Sequence, residues 1–360
     1  MNTQIIQLSN PLWLETLQKI RHDIYHLPEY FALEAIRTKT LPEAILIVDD
    51  DRILFAPYLL RSCNDIGTSS ENIQEIFHVV SPYGYPGILL SQTAVNTSDF
   101  LDIAINELKQ VLKEKGACSA FFRLHPIINQ NLSTSHLDIF TDNGKTVSIN
   151  LELSEQKIWS QTKSDRRKII NQCKQNGLKA RMVIFEEYIE QFAEIYVETM
   201  TRVGSAAFYY TFNHEYFSHM KALLGEKLHL CIVEIDNEVA SGALYTEYSG
   251  IVQSLFRGTR TKFCNVSPNS LEIDYVRFWA KERGNKIVHL GGGLGGTQNS
   301  LYHFKATFSK VRHIFLTMRL IIDEKKYLSL VEQQAKYLNI PSEQLLNSRF
   351  FPAYRYQEQN

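Results

Sequence analysis

This 360-residue chain lacks several things, and each absence closes a class of function. It has no CxxC pair. Its five cysteines, Cys63, Cys118, Cys173, Cys231 and Cys264, are scattered and odd in number, which suits reduced, mostly buried thiols and argues against a disulfide scaffold. No uncharged apolar run approaches the ~18 residues of a membrane-spanning helix, although peripheral contact with a membrane stays open. Charge of either sign is not in excess. With 38 basic and 39 acidic residues the net charge is −1, so no global field gathers nucleic acid, and DNA is not an expected partner. The opening residues Met1–Gln7 carry no charged leader followed by an apolar block, so the expected compartment is cytoplasmic.

The signatures of several enzyme classes are missing too. There is no G-x-S-x-G elbow, no P-loop ending in G-K-[ST], and no Cys/His ligand set, so no metal is expected. The segment from His214 to His219 imitates a zinc-protease helix. Its histidines stand five apart, beyond the four-residue step that puts two rings on one helix face.

What is present is globular: 44% apolar residues, 21% charged ones, and a length that suits two domains of ordinary size. The sequence also echoes itself. Ala44–Ser62 reads as strand, turn at Asp49-Asp50-Asp51, and strand; Leu228–Glu247 reads likewise, with its turn at Asp236-Asn237. Each hairpin is followed by an amphipathic helix ending in glycine and then a strand. The helices are Asp99–Gly116, with Leu101, Ile105, Leu108 and Leu112 on one face, and Asn269–Gly284, with Leu271, Tyr275, Phe278 and Trp279 on one face. Two such copies suggest a structural duplication. A basic helix, capped by Ser164 or Asp165, is expected to run to Gly177, and a helical end is expected over Glu324–Leu346.

The densest chemical signal is Ile287–Ser309, IVHLGGGLGGTQNSLYHFKATFS. A strand runs into five glycines within six residues, then a polar turn, then a short helix carrying Tyr302, Phe304 and Lys305. Glycine crowding lets a backbone approach a ligand and present N–H groups. Gly291, Gly293 and Gly296 formally match G-x-G-x-x-G, but no β-α-β unit follows, and the stretch about 20 residues on holds Arg312 and His313 where a dinucleotide site needs an acid. Lys305 can place a positive charge where a carbonyl oxygen turns negative. A second cluster runs from Thr199 to Tyr210, where Arg202 can hold a carboxylate or phosphate and Tyr209 or Tyr210 can orient a substrate. Tyr245 and Arg257, on adjacent expected strands, are candidates for the same cleft.

The segment HLGGGLGGTQNSLYHFKATFS resembles the LHLGGG…DSLYxFKxxF pattern of the FemABX-like branch of the GNAT (Gcn5-related N-acetyltransferase) superfamily. Asp23–Tyr30, Ser81–Gly87, the Arg166-Arg167 helix, Thr199–Gly204 and Phe350–Arg355 support the resemblance. It implies an α/β chain of two tandem GNAT-like domains, each a mixed, mostly antiparallel sheet flanked by helices, packed around a central cleft. Residues 1–150 would be the first, a degenerate copy without the glycine run. Residues 151–322 would carry the active site, and 323–360 a helical tail packing back on the first domain.

The resemblance further implies an N-acyltransferase or aminoacyltransferase with Lys305, Phe304 and Tyr302 catalytic, Lys305 stabilising the tetrahedral oxyanion, and no covalent enzyme intermediate. Tyr245 and Tyr302 are candidate proton acceptors. Candidate substrate-binding residues are Arg202, Tyr209, Tyr210, Tyr245, Arg257, Gly291, Gly292, Gly293 and Ser300. No tightly bound cofactor is expected; the donor is acyl-CoA, an acyl carrier protein or aminoacyl-tRNA, and the acceptor an amine of a cell-envelope precursor, amino sugar or peptide. The segment RGTRTKFCNVSPNS, beginning at Arg257, lacks the R/Q-x-x-G-x-G/A loop of acetyl-CoA-dependent members, which leaves the donor open. The competing reading is a binding module that keeps the fold without the chemistry.

Overall fold

Alternating apolar residues interrupted by turn formers make the strands of this chain. The computed structural model describes residues 1–66, 75–97, 99–130, 132 and 139–357 and divides into two units, Met1–Asp142 with Phe315–Asn360, and Asn143–Ile314.

The first unit begins with β1 (Asn2–Gln7), α1 (Leu12–Lys19), α2 (Pro28–Thr38), β2 (Leu41–Asp49) and β3 (Arg52–Ser62). It continues with β4 (Phe77–Val80), β5 (Leu89–Leu90), α3 (Gln92–Val95), α4 (Phe100–Glu114) and β6 (Ala117–Arg123). The second holds β7 (Phe140–Asn150) from Asn143 onward, α5 (Glu155–Gln161), α6 (Ser164–Gln175), β8 (Lys179–Val183), α7 (Phe185–Arg202) and α8 (His214–Leu224). Then come β9 (Leu228–Ile235), β10 (Glu238–Tyr248), β11 (Ile251–Thr259), α9 (Pro268–Glu282), β12 (Ile287–Gly291) and α10 (Ser300–Lys305). The chain ends with β13 (Val311–Ile321), α11 (Glu324–Leu338) and α12 (Ser342–Leu346).

The duplication is visible in the pairing. In the first unit β1, β2, β3, β4, β6 and β13 lie side by side; in the second β8, β9, β10, β11, β12 and β7 repeat that sequence of neighbours. Both sheets are antiparallel except at matching steps, β4 with β6 and β11 with β12, which run parallel. A parallel step needs a crossover, and the crossovers contain α4 and α9, the two helices read as equivalents from their spacing. β7 thus takes in the second unit the place that β13 takes in the first.

Local chemistry explains the elements. The β2–β3 hairpin turns on Asp50 at φ 57°, and the β9–β10 hairpin on Asp236 and Asn237 at φ 49° and 64°, left-handed conformations that Asp and Asn tolerate. Gly116 and Gly284, both at φ 81°, end the two crossover helices. Leu101, Ile105, Leu108 and Leu112 of α4 are buried as their spacing requires. Helix α9 departs from the reading: its buried residues include Leu271, Glu272, Ile273, Val276, Arg277 and Ala280, while Tyr275, Phe278 and Trp279 are only half-buried. The cause is that α9 is covered on most of its circumference, so its polar residues are drawn inward with the apolar ones. Helix α6 also differs at its start. Lys163 is the capping position, with no side-chain cap, and its N–H is held by the Thr307 carbonyl at 2.8 Å.

Each unit has its own core. Ile45, Tyr58, Leu108 and Phe122 belong to the first, and Val147, Val252, Val276, Leu290 and Phe308 to the second. Side chains of this size contribute roughly 1.5–3 kcal/mol each on full burial. Tyr327, Leu330 and Val331 of α11 pack with Ile76, Cys118 and Tyr354 in the first unit. Among the described residues no helix is long and apolar enough to cross a membrane, and no group of three or more His, Cys, Asp or Glu is gathered as for a metal.

Candidate active site

The glycine run begins where β12 ends. Gly291, at φ 73°, still pairs with Val147 of β7, and the chain then folds onto the 143–146 segment. A Cβ at Gly296 would collide with the Asn143 carbonyl, and one at Gly144 with the Gly296 carbonyl. At Gly293 it would strike the Thr297 carbonyl and Asn299 Oδ1. Gly292 is tight as well, its Cβ falling 3.0 Å from the Lys145 carbonyl. The crowding read as a surface for a ligand's approach therefore has a packing cause at these positions: backbone meets backbone with no space for a side chain. Gly295, at φ 59°, has open space around it.

The run delivers the chain to α10. Asn299 caps this helix, its Oδ1 accepting the Tyr302 N–H at 3.1 Å, and Ser300 is its exposed first residue. Tyr302 is buried in the core of the second unit, and its hydroxyl accepts a hydrogen bond from Arg312 Nε at 3.1 Å. Arg312 also donates to the carbonyls of Ala306, Ser309 and Val311, tying the end of α10 to the start of β13.

Lys305 lies at the other end of α10 and points back under the glycine run. Its ammonium donates to the Gly292 carbonyl at 2.7 Å. Burial, aided by the nearby Arg257 guanidinium, brings its pKa down from the ordinary lysine value to about 7. Arg257 is 14% exposed and projects from β11. Its Nη2 donates to Tyr245 Oη at 3.1 Å and to Ser254 Oγ at 2.9 Å, and stands 3.6 Å from Glu272 Oε1.

Tyr245, from β10, donates its hydroxyl proton to the same Glu272 oxygen. Burial followed by the Arg257 charge acts on Glu272 in opposite senses, and burial wins, raising its pKa above the usual carboxylate range. Burial and then the Glu272 charge push the Tyr245 phenol well above its usual value. Among the described residues Arg257 Nη1 and Glu272 Oε2 are buried without hydrogen-bond partners.

Phe304 occupies a different side of α10. The Arg166 guanidinium, from α6, lies 4.7 Å above its ring, while Phe308 meets the ring edge-on at 5.4 Å. Arg166 donates to Ser270 Oγ at 2.7 Å and Thr307 Oγ1 at 3.1 Å, so α6, α9 and α10 are joined through one side chain.

The structure thus brings Lys305, Arg257 and Tyr245 into one electrostatic cluster, with Gly292 as the lysine's acceptor. Arg202 is engaged by the Thr259 carbonyl at 2.9 Å and Thr261 Oγ1 at 3.0 Å. Tyr209 is half-buried against Phe208, and Tyr210 is 39% exposed. The residues that the sequence reading missed are Glu272 and the inward role of Arg166. For Glu272 a signal existed: Glu272, Val276 and Ala280 follow a four-residue step along α9, and all are buried.

Residues 164–305 match the acetyltransferase (GNAT) domain family. Among solved structures the chain resembles FemX, with a TM-score of 0.66 at 13% identity over 91% of this chain and 99% of that one. It also resembles L-PGS from Bacillus licheniformis, with a TM-score of 0.51 at 13% identity over 94% and 100% of the two chains. A conserved protein of unknown function from Bacteroides thetaiotaomicron gives 0.51 at 10% identity over 81% and 89%. No curated protein matches by sequence. At these identities the structural likenesses speak for the fold.

Proposed function

We propose that this chain, whose residues 164–305 match the acetyltransferase (GNAT) domain family and whose fold resembles that of FemX, is an N-acyltransferase or aminoacyltransferase acting on an amine. The observation that carries this reading is the Lys305 ammonium, seated 2.7 Å from the Gly292 carbonyl with Arg257 beside it. An acyl carbonyl near this pair would find positive charge in a poorly solvated place, where it stabilises a developing oxyanion most strongly.

In the proposed reaction the acceptor amine attacks the carbonyl carbon of a thioester or ester. The new C–N bond forms as the carbonyl oxygen takes up negative charge beside Lys305. Collapse restores the carbonyl, breaks the C–S or C–O bond, and releases the thiol or alcohol, which takes up a proton while the nitrogen loses one. The engagement of Tyr302 by Arg312 argues for a structural task for that tyrosine. The Tyr245–Glu272 pair is the better placed to move a proton, since its carboxylate is held above the usual range. Phe304, fixed between Arg166 and Phe308, would shape the acyl side of the site.

The donor proposed is an acyl thioester, on CoA or a carrier protein, or an aminoacyl-tRNA; the acceptor is an amine of a cell-envelope precursor, amino sugar or peptide. The Phe304-Lys305 pair after the glycine run supports the aminoacyl donor by resemblance. The absence of R/Q-x-x-G-x-G/A after Arg257 weighs against acetyl-CoA. A thermal-shift panel of CoA, acyl-CoAs, UDP-sugars and total tRNA sorts these classes, because a ligand at 100 times its Kd adds about 2.7 kcal/mol of stability. One feature favours the competing reading of a binding module: Lys305 is hydrogen-bonded to main chain, as a purely structural lysine would be. Ligand binding without transfer from any donor would decide for the module.

A further inference from the structure

Three properties of the second unit converge on its buried cations. The first is a charge imbalance. Among the described residues Lys305 has no carboxylate partner, and the ion pair of Arg257 is with Glu272. Two neighbouring, largely enclosed cations therefore have a single carboxylate between them, the one paired with Arg257, and its Oε1 is shared between Arg257 and the Tyr245 hydroxyl. The second is an unmet donor. Among the described residues Arg257 Nη1 is buried and makes no hydrogen bond, a condition that costs a charged group more than a neutral one. The third lies in the sequence. From Arg283 to Ile314 the chain contains Arg283, Lys286, Lys305, Lys310 and Arg312 and no Asp or Glu, in a protein that is otherwise balanced. The loop and helix that build the site thus offer a substrate no local negative charge.

A transition-state oxyanion exists too briefly to offset a buried positive charge in the resting complex. We propose that Arg257 and Lys305 form a binding subsite for an oxyanion that the substrate already carries, a carboxylate or a phosphate close to the reacting group. The Arg257 Nη1 donor and the Lys305 ammonium both address this group, and Glu272 with Tyr245 and Ser254 holds the guanidinium in place from behind. The substrate class is thereby narrowed to molecules with an anionic oxygen group near the amine or the acyl carbonyl. The inference rests on the acyl-transfer reading only for the identity of the reacting group; the anion site itself needs no turnover to be observed.

The test is trace labelling of lysines with 1-fluoro-2,4-dinitrobenzene, an uncharged amine reagent, followed by peptide mapping. The whole chain is labelled from pH 6 to 10 in sodium chloride, sodium acetate or sodium phosphate at equal ionic strength, with exposed Lys168 as internal reference. An anion seated beside Lys305 favours its charged form and raises its titration midpoint. The expected result is a saturable upward shift of about one pH unit, with labelling of Lys305 about threefold slower near pH 7.5 and close to tenfold slower at pH 6, and no change for Lys168.

A shift with phosphate alone assigns a phosphoryl group, and with acetate alone a carboxylate. Either supports the subsite. The double variant Arg257→Gln with Glu272→Gln, which removes both charges together, should lose the shift while retaining the fold by circular dichroism. Labelling of Lys305 identical in all three salts would overturn the proposal, as would an undiminished shift in a folded double variant. Because no donor or acceptor is present, failure here is distinct from failure of acyl transfer, which is read from turnover.

Discussion

The guanidinium of Arg166 lies 4.7 Å above the ring of Phe304, and its nitrogens bind Ser270 and Thr307 on either side. One arginine thus fixes the residue immediately before the candidate catalytic lysine. Cation–π contacts are worth about 0.5–2 kcal/mol, enough to hold a ring in one orientation. Arg166→Ala should lower turnover about threefold to thirtyfold, while Arg166→Lys, which keeps the charge but loses the planar fork, should recover only part of it. Steady-state kinetics of the three proteins with one donor and acceptor would show this order. Full recovery by lysine would mean that charge alone matters.

The glycines make a paired prediction. Gly296, at φ 82°, has the Asn143 carbonyl where its Cβ would be, whereas Gly295, at φ 59°, has open space. Gly295→Ala should cost about 1 kcal/mol, from backbone conformation alone. Gly296→Ala adds a collision with main chain and should cost several kcal/mol in total, roughly the range of severe single substitutions. Urea denaturation monitored by circular dichroism separates them, and equal losses would contradict the packing origin of the glycine run.

Glu272 is fully buried and balances Arg257. Removing one partner of a buried pair strands the other charge and typically costs 3–5 kcal/mol by general experience, about what Glu272→Ala should lose. Replacing both, Glu272→Met with Arg257→Met, should restore much of the stability while abolishing activity. Chemical denaturation of the two variants in parallel measures the difference. A double variant no more stable than the single one would show that the pair itself is not the stabilising unit.

Lys305 predicts a pH dependence. Its folded pKa is depressed to about 7, whereas in an unfolded chain lysine titrates near its usual value of about 10.4. Between those pH values the unfolded state binds more protons than the folded one, so this group's contribution to stability rises with pH across that window. Below pH 7 both states are protonated and the contribution is flat at its least favourable. Relative to Lys305→Met, the wild-type chain should therefore gain thermal stability from pH 7 to 10. A constant gap in melting temperature between the two proteins from pH 6 to 10 would contradict the depressed pKa.

Much of the fold was legible because short-range chemistry decides it. Asp50 and the Asp236-Asn237 pair announce the hairpins, and Gly116 and Gly284 the ends of the crossover helices. Lys305 was legible through the run of residues around it. For Glu272 the sequence carries only its four-residue step with Val276 and Ala280 and not its pairing, because a buried carboxylate is identified by its partners, and Tyr245 and Arg257 reach it from strands 27 and 15 positions earlier in the chain. For the same reason the buried side of α9 was misplaced: a helix covered on most sides has no single apolar stripe to read. The completion of the first unit by β13, far along the chain from β6, is likewise a matter of pairing rather than local pattern.

The most direct measurement is single-turnover transfer by Lys305→Ala, once the ligand panel has identified a donor and acceptor, with folding matched to wild type by melting temperature. Loss of the ammonium should slow the acyl-transfer step at least tenfold, about 1.4 kcal/mol of transition-state stabilisation. An unchanged transfer rate in a properly folded Lys305→Ala protein would contradict the role assigned to this lysine.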